Sequence, residues 1–294
     1  MKVIEIVPKE LDLTLFKKRT ALESDADEVI DYDCLITSNG VPKILYIKLN
    51  NNTDPLRWAV RTIKYSAGKR TRGLLSQSTI FGYRPRIATR KTYCSSTALS
   101  YSFPKQHYFI VDYAKELSTY YNNYFPDVFN KHTEEIKKRV MDEWTIAGTP
   151  FTSGIINKDN PLKYHHDRGN FKGVLSNMIA FKKGMKGGRL VIPEYGIKLE
   201  IDDNTLTVFD GQSIMHGVSP FQKIDEGGYR YTIVYYSLEQ MWKCNTISEE
   251  LTRIRVLKKS REHKRLDIKH LEYLRGKALQ FRNAAETEQH RNNR

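Results

Sequence analysis

Apolar and polar positions alternate in several short runs along this chain, and that period of two predicts strands. VIEIV opens the series at Val3, and CLITSNGVPKILYIKL reads as a hairpin turning at Ser38, Asn39 and Gly40. GGRLVIP and YGIKLEI predict a second hairpin, in which Ile197, Leu199 and Ile201 alternate with Lys198 and Glu200. LTVFDG follows, its Asp210-Gly211 turn leading into a strand that carries His216, and YRYTIVYY closes the set. HYFIV, from His107 to Val111, also reads as a strand. Helical spacing begins after Pro55, where Trp58 and Ile63 are apolar and Arg57, Arg61 and Lys64 fall on another face. It returns from Ala114 to about Ala147, broken near Phe125-Pro126, and Pro150 ends it. Short strands separated by Gly, Pro, Asn and Asp turns predict a mainly β chain with flanking helices, folded around a double-stranded β-helix, or jelly-roll, core.

The same pattern divides the 294 residues into an N-terminal β/α extension with a basic segment (1–95), a jelly-roll domain (96–245) and a basic helical C-terminal segment (246–294). In the last of these Leu271, Leu274, Ala278 and Phe281 recur at helical spacing, with a frayed end from about Glu286. Apolar runs of about 18 residues are absent, so no membrane span is expected. The opening MKVIEIVPKELDL is too soon interrupted by charge to be a signal peptide. Cys34, Cys94 and Cys244 form no C-x-x-C pair, which argues against a disulfide scaffold or zinc ribbon. A reducing, cytoplasmic setting is the expectation, not a secreted one.

Charge changes the picture next. The formal net charge is +14, and it is localised. Between Leu56 and Lys91 there are ten Lys/Arg and no acid; from Leu251 to Arg294 there are thirteen Lys/Arg and five acids, leaving −4 for the remainder. Two cationic segments flanking a slightly acidic stretch suit a phosphate backbone gripped on either side of a site. Solvated faces are the bland alternative. In the first segment, cations are interleaved with Phe81, Tyr83 and glycines, making Arg70, Arg72, Arg84 and Arg86 the candidate nucleic-acid contacts.

The chemistry concentrates between Phe151 and Ser237. His165 and Asp167 sit two apart, His216 follows 49 residues after the aspartate, and Arg230 comes 14 later. Residues i and i+2 of a strand share a face, so a strand through Tyr164–Asp167 aims His165 and Asp167 together while His166 points away as a packing or substrate-side residue. Two imidazoles and one carboxylate form the facial triad of non-haem Fe(II) oxygenases. Arg230 and Thr232 likewise share a strand face, and a guanidinium beside a hydroxyl can take a carboxylate through two parallel, charge-assisted bonds.

With HHDRGN, GGRLVIPEY, FDGQSIMHGVSP and YRYTIVYY in place, the stretch resembles the Fe(II)- and 2-oxoglutarate-dependent dioxygenases. It is most similar to their TET and base-J-binding-protein (JBP) branch, phage members included, whose enzymes oxidise the methyl group of 5-methylpyrimidines in DNA. The resemblance implies that His165, Asp167 and His216 hold Fe(II), that Arg230 with Thr232 binds the distal carboxylate of 2-oxoglutarate, and that Asn177 contacts the cosubstrate. O2 completes the set. Halogenating relatives lack the carboxylate ligand, so Asp167 implies hydroxylation. The implied substrate is 5-methylcytosine ahead of thymine in DNA, extruded from the stack to reach the metal. The alternatives weighed beside it are a protein or small-molecule hydroxylase on the same fold, and a non-enzymatic nucleic-acid-binding protein.

Overall fold

The structure is a computed structural model describing residues 1–17, 19–65, 67–69, 75–86, 93–146, 148–266 and 276. The chain divides into two compact units, Met1–Cys244 and Asn245–Arg294. Residues 1–95, expected as an extension, and residues 96–244 therefore fall within one unit.

That unit opens with β1 (Lys2–Glu5), β2 (Glu28–Ile30), β3 (Cys34–Ser38), β4 (Val41–Lys48) and α1 (Asp54–Thr62). Strands β5 (Ala67–Lys69), β6 (Leu75–Arg84) and β7 (Ser95–Ser96) precede helices α2 (Leu99–Ser102), α3 (Pro104–Asp112), α4 (Ala114–Tyr124) and α5 (Pro126–Arg139). The remaining strands are β8 (Ser153–Lys158), β9 (Ser176–Lys183), β10 (Met185–Gly187), β11 (Leu190–Ile192), β12 (Ile197–Leu199), β13 (Thr205–Phe209), β14 (Gly217–Val218), β15 (Phe221–Lys223) and β16 (Tyr229–Tyr236). One large sheet runs β1-β3-β4-β13-β9-β16-β8-β6-β5, with β7 paired to β6. A smaller sheet runs β14-β11-β12-β2, and β10 pairs with β15. Only β1 with β3 and β2 with β12 pair in parallel among the described strands.

Three layers follow from which side chains each strand buries. On β9, Ile179 and Phe181 face one side and join α1, α3 and α4 through Leu56, Ala59, Ile110 and Leu117. Met178 and Ala180 face the other side and meet Leu190, Ile192, Ile197 and Leu199 of the smaller sheet. A strand covered on both faces reads as an unbroken apolar run, and MIAF at the centre of SNMIAFKK is such a run. Each fully buried Ile or Phe contributes about 1.5–3 kcal/mol through removal from water. Helix α1 forms because Pro55 suits its first turn and Leu56, Ala59 and Val60 repeat at helical spacing. Its Arg57 donates to both carboxylate oxygens of Asp203, at 2.7 and 3.0 Å.

The hairpins at 34–48 and 190–199 form as expected. HYFIV does not: it lies inside α3. Four apolar residues after a histidine cannot by themselves distinguish a strand from a buried helical segment. Here Pro104 starts the helix, Ile110 enters the core, and Phe109 packs edge-on against Trp58 of α1. Nor are the cysteines all free. Cys94 and Cys244 form a disulfide across 150 positions, among Ile136, Val140, Trp144 and Met241. Only Cys34 remains a thiol, and burial pushes it up to about 12.

In the second unit the described residues form α6 (Ile247–Leu266). Leu271, Leu274, Ala278, Phe281 and Glu286 lie outside the described residues, as do Ala147, Arg70 and Arg72. No helix among those described is long and apolar enough to cross a membrane.

Candidate metal centre

His165 and His216 meet through an isolated antiparallel bridge. The His165 amide donates to the His216 carbonyl at 3.0 Å, and the return bond is 3.1 Å. No strand spans Tyr164–Asp167, contrary to expectation; the backbone is tied down point by point. The Asp167 amide donates to the Gly211 carbonyl at 2.7 Å, just past the end of β13. The His165 and Asp167 side chains nonetheless converge, as the i, i+2 reading inferred. His165 Nε2 lies 3.6 Å from Asp167 Oδ1, and the two imidazole centroids are 4.4 Å apart. One ligand atom from each of His165, Asp167 and His216 falls within 4.8 Å of the others. Among the described residues, no second trio of His, Cys, Asp or Glu side chains converges this way.

The protonation pattern suits a cation. His165 Nδ1 approaches the Lys163 carbonyl at 2.7 Å and His216 Nδ1 the Ile214 carbonyl at 2.9 Å. A carbonyl only accepts, so each Nδ1 carries the proton and each Nε2 presents a lone pair. Burial drives His216 down to about 4, with His165 adding to the shift, so it is a neutral imidazole at physiological pH. For Asp167, burial pushes the carboxyl up, but the close approach of His165 and the electrostatic pull of the His216 and His166 imidazoles outweigh it and hold the group below its usual value. Burial also lowers His166, which faces the cavity and stays outside the trio.

Gly211 makes the approach possible. A Cβ there would lie 2.3 Å from Asp167 Oδ2 and 3.3 Å from His216 Cε1. The glycine looks like ordinary turn chemistry in the sequence; only the packing shows that it clears space for the carboxylate.

The trio stands at one side of a cavity of about 680 Å³ between the two sheets. Leu190 and Val218 line it from the smaller sheet, and Met178, Phe209 and Val234 from the larger. Arg230 and Thr232 also face it, both buried, while Tyr231 and Ile233 turn to the helical side. Arg230 is 2% exposed and its Nε has no hydrogen-bond partner. Burial pulls the guanidinium down to about 10, and Asp159 and Glu200 counter part of that, so it stays cationic at neutral pH. Gly188, with φ of +80°, passes so close that a Cβ would stand 3.0 Å from Arg230 Nε. A buried cation with an unmet donor fits an anionic ligand. The ring of Phe221 lies 5.7 Å from the guanidinium carbon.

Two polar residues escaped the sequence reading. Asn157 on β8 is directly opposite Thr232 and faces the cavity, with Asn160 beside it. Asn160 Nδ2 donates to Asn157 Oδ1 at 3.2 Å, and Ser78 Oγ donates to the same oxygen at 2.9 Å. The alternation of Ile155 and Asn157 against Ile156 carried the signal, but nothing local marks which face of β8 borders a ligand. Asn177 is placed differently from the expectation. It is fully buried with both side-chain polar atoms unbonded, and Ser176 and Met178, its neighbours on the opposite face of β9, line the cavity instead. Arg84 donates from Nε to Ser95 Oγ at 2.9 Å, and neither it nor Arg86 borders the cavity.

The chain matches the Tet_JBP family, the oxygenase domain of the 2OGFeDO superfamily, over residues 82–239. Among solved structures it shares its fold with NgTET1 in complex with 5mC DNA. The TM-score is 0.52 at 13% identity, covering 83% of this chain and 94% of that one. An oxidoreductase of the 2OG-Fe(II) oxygenase family from Burkholderia pseudomallei aligns with a TM-score of 0.40 at 10% identity, covering 66% and 85%. No curated protein matches the sequence.

Proposed function

Because the chain belongs to the Tet_JBP family of 2OGFeDO oxygenases, we propose that this dioxygenase hydroxylates the methyl group of a 5-methylpyrimidine in DNA, 5-methylcytosine ahead of thymine. The facing sheets are read as its double-stranded β-helix. The observation that carries the reading is the shared cavity, with His165, Asp167 and His216 at one side and the buried, incompletely bonded Arg230 also facing it.

His165, Asp167 and His216 would hold Fe(II) through two Nε2 atoms and a carboxylate oxygen, leaving the opposite face for cosubstrate and O2. Bound iron supplies the oxidising chemistry that couples decarboxylation of 2-oxoglutarate to hydroxylation of a C–H bond, giving succinate, CO2 and the alcohol. Arg230 would form paired, charge-assisted bonds to the distal carboxylate, and the Thr232 hydroxyl would donate a third. Leu190, Phe209 and Val218 give the cavity apolar walls, and a low-dielectric surround strengthens those bonds. Asn157 and Asn160 supply amides to orient what enters beside them. A methyl group within a duplex is poorly placed for such a recessed site, so the nucleotide would be extruded, at an unstacking cost of a few kcal/mol.

The test is to incubate the protein with Fe(II), 2-oxoglutarate and DNA containing 5-methylcytosine or thymine, then analyse nucleosides by mass spectrometry. The hydroxymethyl base is the expected product. Succinate formation with no oxygen gained on either base sinks the DNA assignment while leaving the oxygenase in place.

A further inference from the structure

A second depression meets the main cavity at Asp167. It is lined by His166, Asp167, Arg168, Gly169, Lys172, Gln212 and Ser213, and it is open to solvent. Asp167 is the one acid in that lining, and it belongs to the metal centre. Arg168 and Lys172 are exposed. Lys131 of α5 reaches the same loop, its Nζ 3.3 Å from where a Cβ on Gly173 would stand.

These three cations differ from Arg189, Lys182 and Arg57. Arg189 pairs with Glu23 and Glu200, Lys182 with Glu200, and Arg57 with Asp203. Arg168, Lys172 and Lys131 make no ion pair among the described residues. The nearest acid in sequence to Gln212, Asp210, is occupied: its carboxylate accepts from Ser213 Oγ at 2.6 Å and from the Gln212 amide at 3.0 Å.

The loop that presents them is held rather than loose. Gly169 and Gly173 adopt φ of +84° and +70°, turns that a side chain would resist. Between them, Phe171 donates its amide to the Ser237 carbonyl at 2.9 Å, and the Asn170 carbonyl accepts from Gln212 Nε2 at 2.8 Å. The Gly169 carbonyl accepts from the Glu239 amide at 3.1 Å. Cations on a preorganised backbone lose less freedom when they bind.

We propose that this depression is a phosphodiester subsite: Arg168 and Lys172 each contact a phosphate of the strand leaving the catalytic cavity, and Lys131 adds attraction from α5. The proposal rests on the nucleic-acid reading above and deepens it. A base whose methyl reaches the trio must lead its sugar-phosphate out through an opening, and Arg168 follows the ligand Asp167 directly in the chain. Contacts of this kind set position and register and carry no base preference.

The experiment is fluorescence anisotropy of a labelled duplex oligonucleotide bearing one 5-methylcytosine, titrated with the full chain at several salt concentrations without iron. Each phosphate contact contributes about −0.9 to the slope of log K against log salt. The double substitution Arg168→Gln/Lys172→Gln is expected to flatten that slope by about 1.8 and weaken binding on the order of 10- to 100-fold at about 0.1 M salt. Lys43→Gln/Lys48→Gln, the same charge change on β4, is expected to keep the wild-type slope. Arg168, Lys172 and Lys48 are exposed and Lys43 is half-buried, and a thermal melt confirms folding. Wild-type slope and affinity in the Arg168/Lys172 variant overturn the subsite, as does an equal loss in the β4 variant. Failure of the enzymatic reading registers elsewhere, as absence of base oxidation by the wild-type protein, and leaves this binding measurement readable.

Discussion

Replacing Gly211 by alanine tests the geometry of the candidate metal centre without touching a proposed ligand. The added Cβ would lie 2.3 Å from Asp167 Oδ2, 3.1 Å from its Cγ and 3.3 Å from His216 Cε1. Carbon and oxygen in contact without a strong hydrogen bond stand roughly 3.3 Å apart, so the carboxylate must retreat by about 1 Å. It cannot do so freely, because the Asp167 amide is bonded to the carbonyl of this same residue 211 at 2.7 Å. Overpacking of this kind costs about 1–3 kcal/mol in stability. The larger effect falls on function: displaced or reoriented ligands lose roughly 10- to 100-fold in metal affinity, and a 1 Å misplacement reduces turnover by about 100-fold. Anaerobic isothermal titration with Fe(II) reads the first and succinate formation the second. Gly227→Ala, where nothing lies within 4 Å of the new carbon, is the matched control and is expected to be neutral. Wild-type iron affinity and turnover in Gly211→Ala would refute the claim that this glycine clears space for Asp167.

Three further outcomes are expected. Arg230→Lys keeps the charge but loses the planar fork, so KM for 2-oxoglutarate should rise roughly 10- to 100-fold, the value of one charge-assisted bond; an unchanged KM removes Arg230 from the cosubstrate site. His132 is fully buried, with burial pushing it down to about 3 from an ordinary 6.5. The unfolded chain therefore binds the extra proton, and stability, complete above pH 6.5, falls by about 1.4 kcal/mol per unit as pH drops toward 3. Urea unfolding at pH 7 and 5 should show a loss about 2 kcal/mol larger in the wild-type protein than in His132→Leu, since the buried His216 contributes to both, and equal losses in the two proteins would contradict it. Reducing the Cys94–Cys244 disulfide, which spans 150 positions, should cost about 2–4 kcal/mol, while a Cys94→Ser/Cys244→Ser protein should be indifferent to reductant.

What the sequence determined by itself is what short-range rules govern. Alternation placed the hairpins at 34–48 and 190–199, and the i, i+2 relation put His165 with Asp167 and Arg230 with Thr232 on common faces. Proline and burial spacing defined α1. These hold because strand parity and helical turn are set within a few residues, whatever surrounds them. Tertiary structure decided everything that depends on which distant segments meet. HYFIV became helix because α1 offered it a packing surface. Cys94 and Cys244 paired because two remote loops share one small core, a fact that spacing cannot encode. Asn177 turned to the helical side while Asn157 turned to the cavity, since both faces of the large sheet are covered and composition does not say which cover holds the ligand. Gly211 and Gly188 acquired their roles only when Asp167 and Arg230 were packed against them. Arg168 and Lys172 border the candidate metal centre from an exposed loop that no cationic run marks, because charge in a groove is a property of folded surfaces and not of runs along a chain.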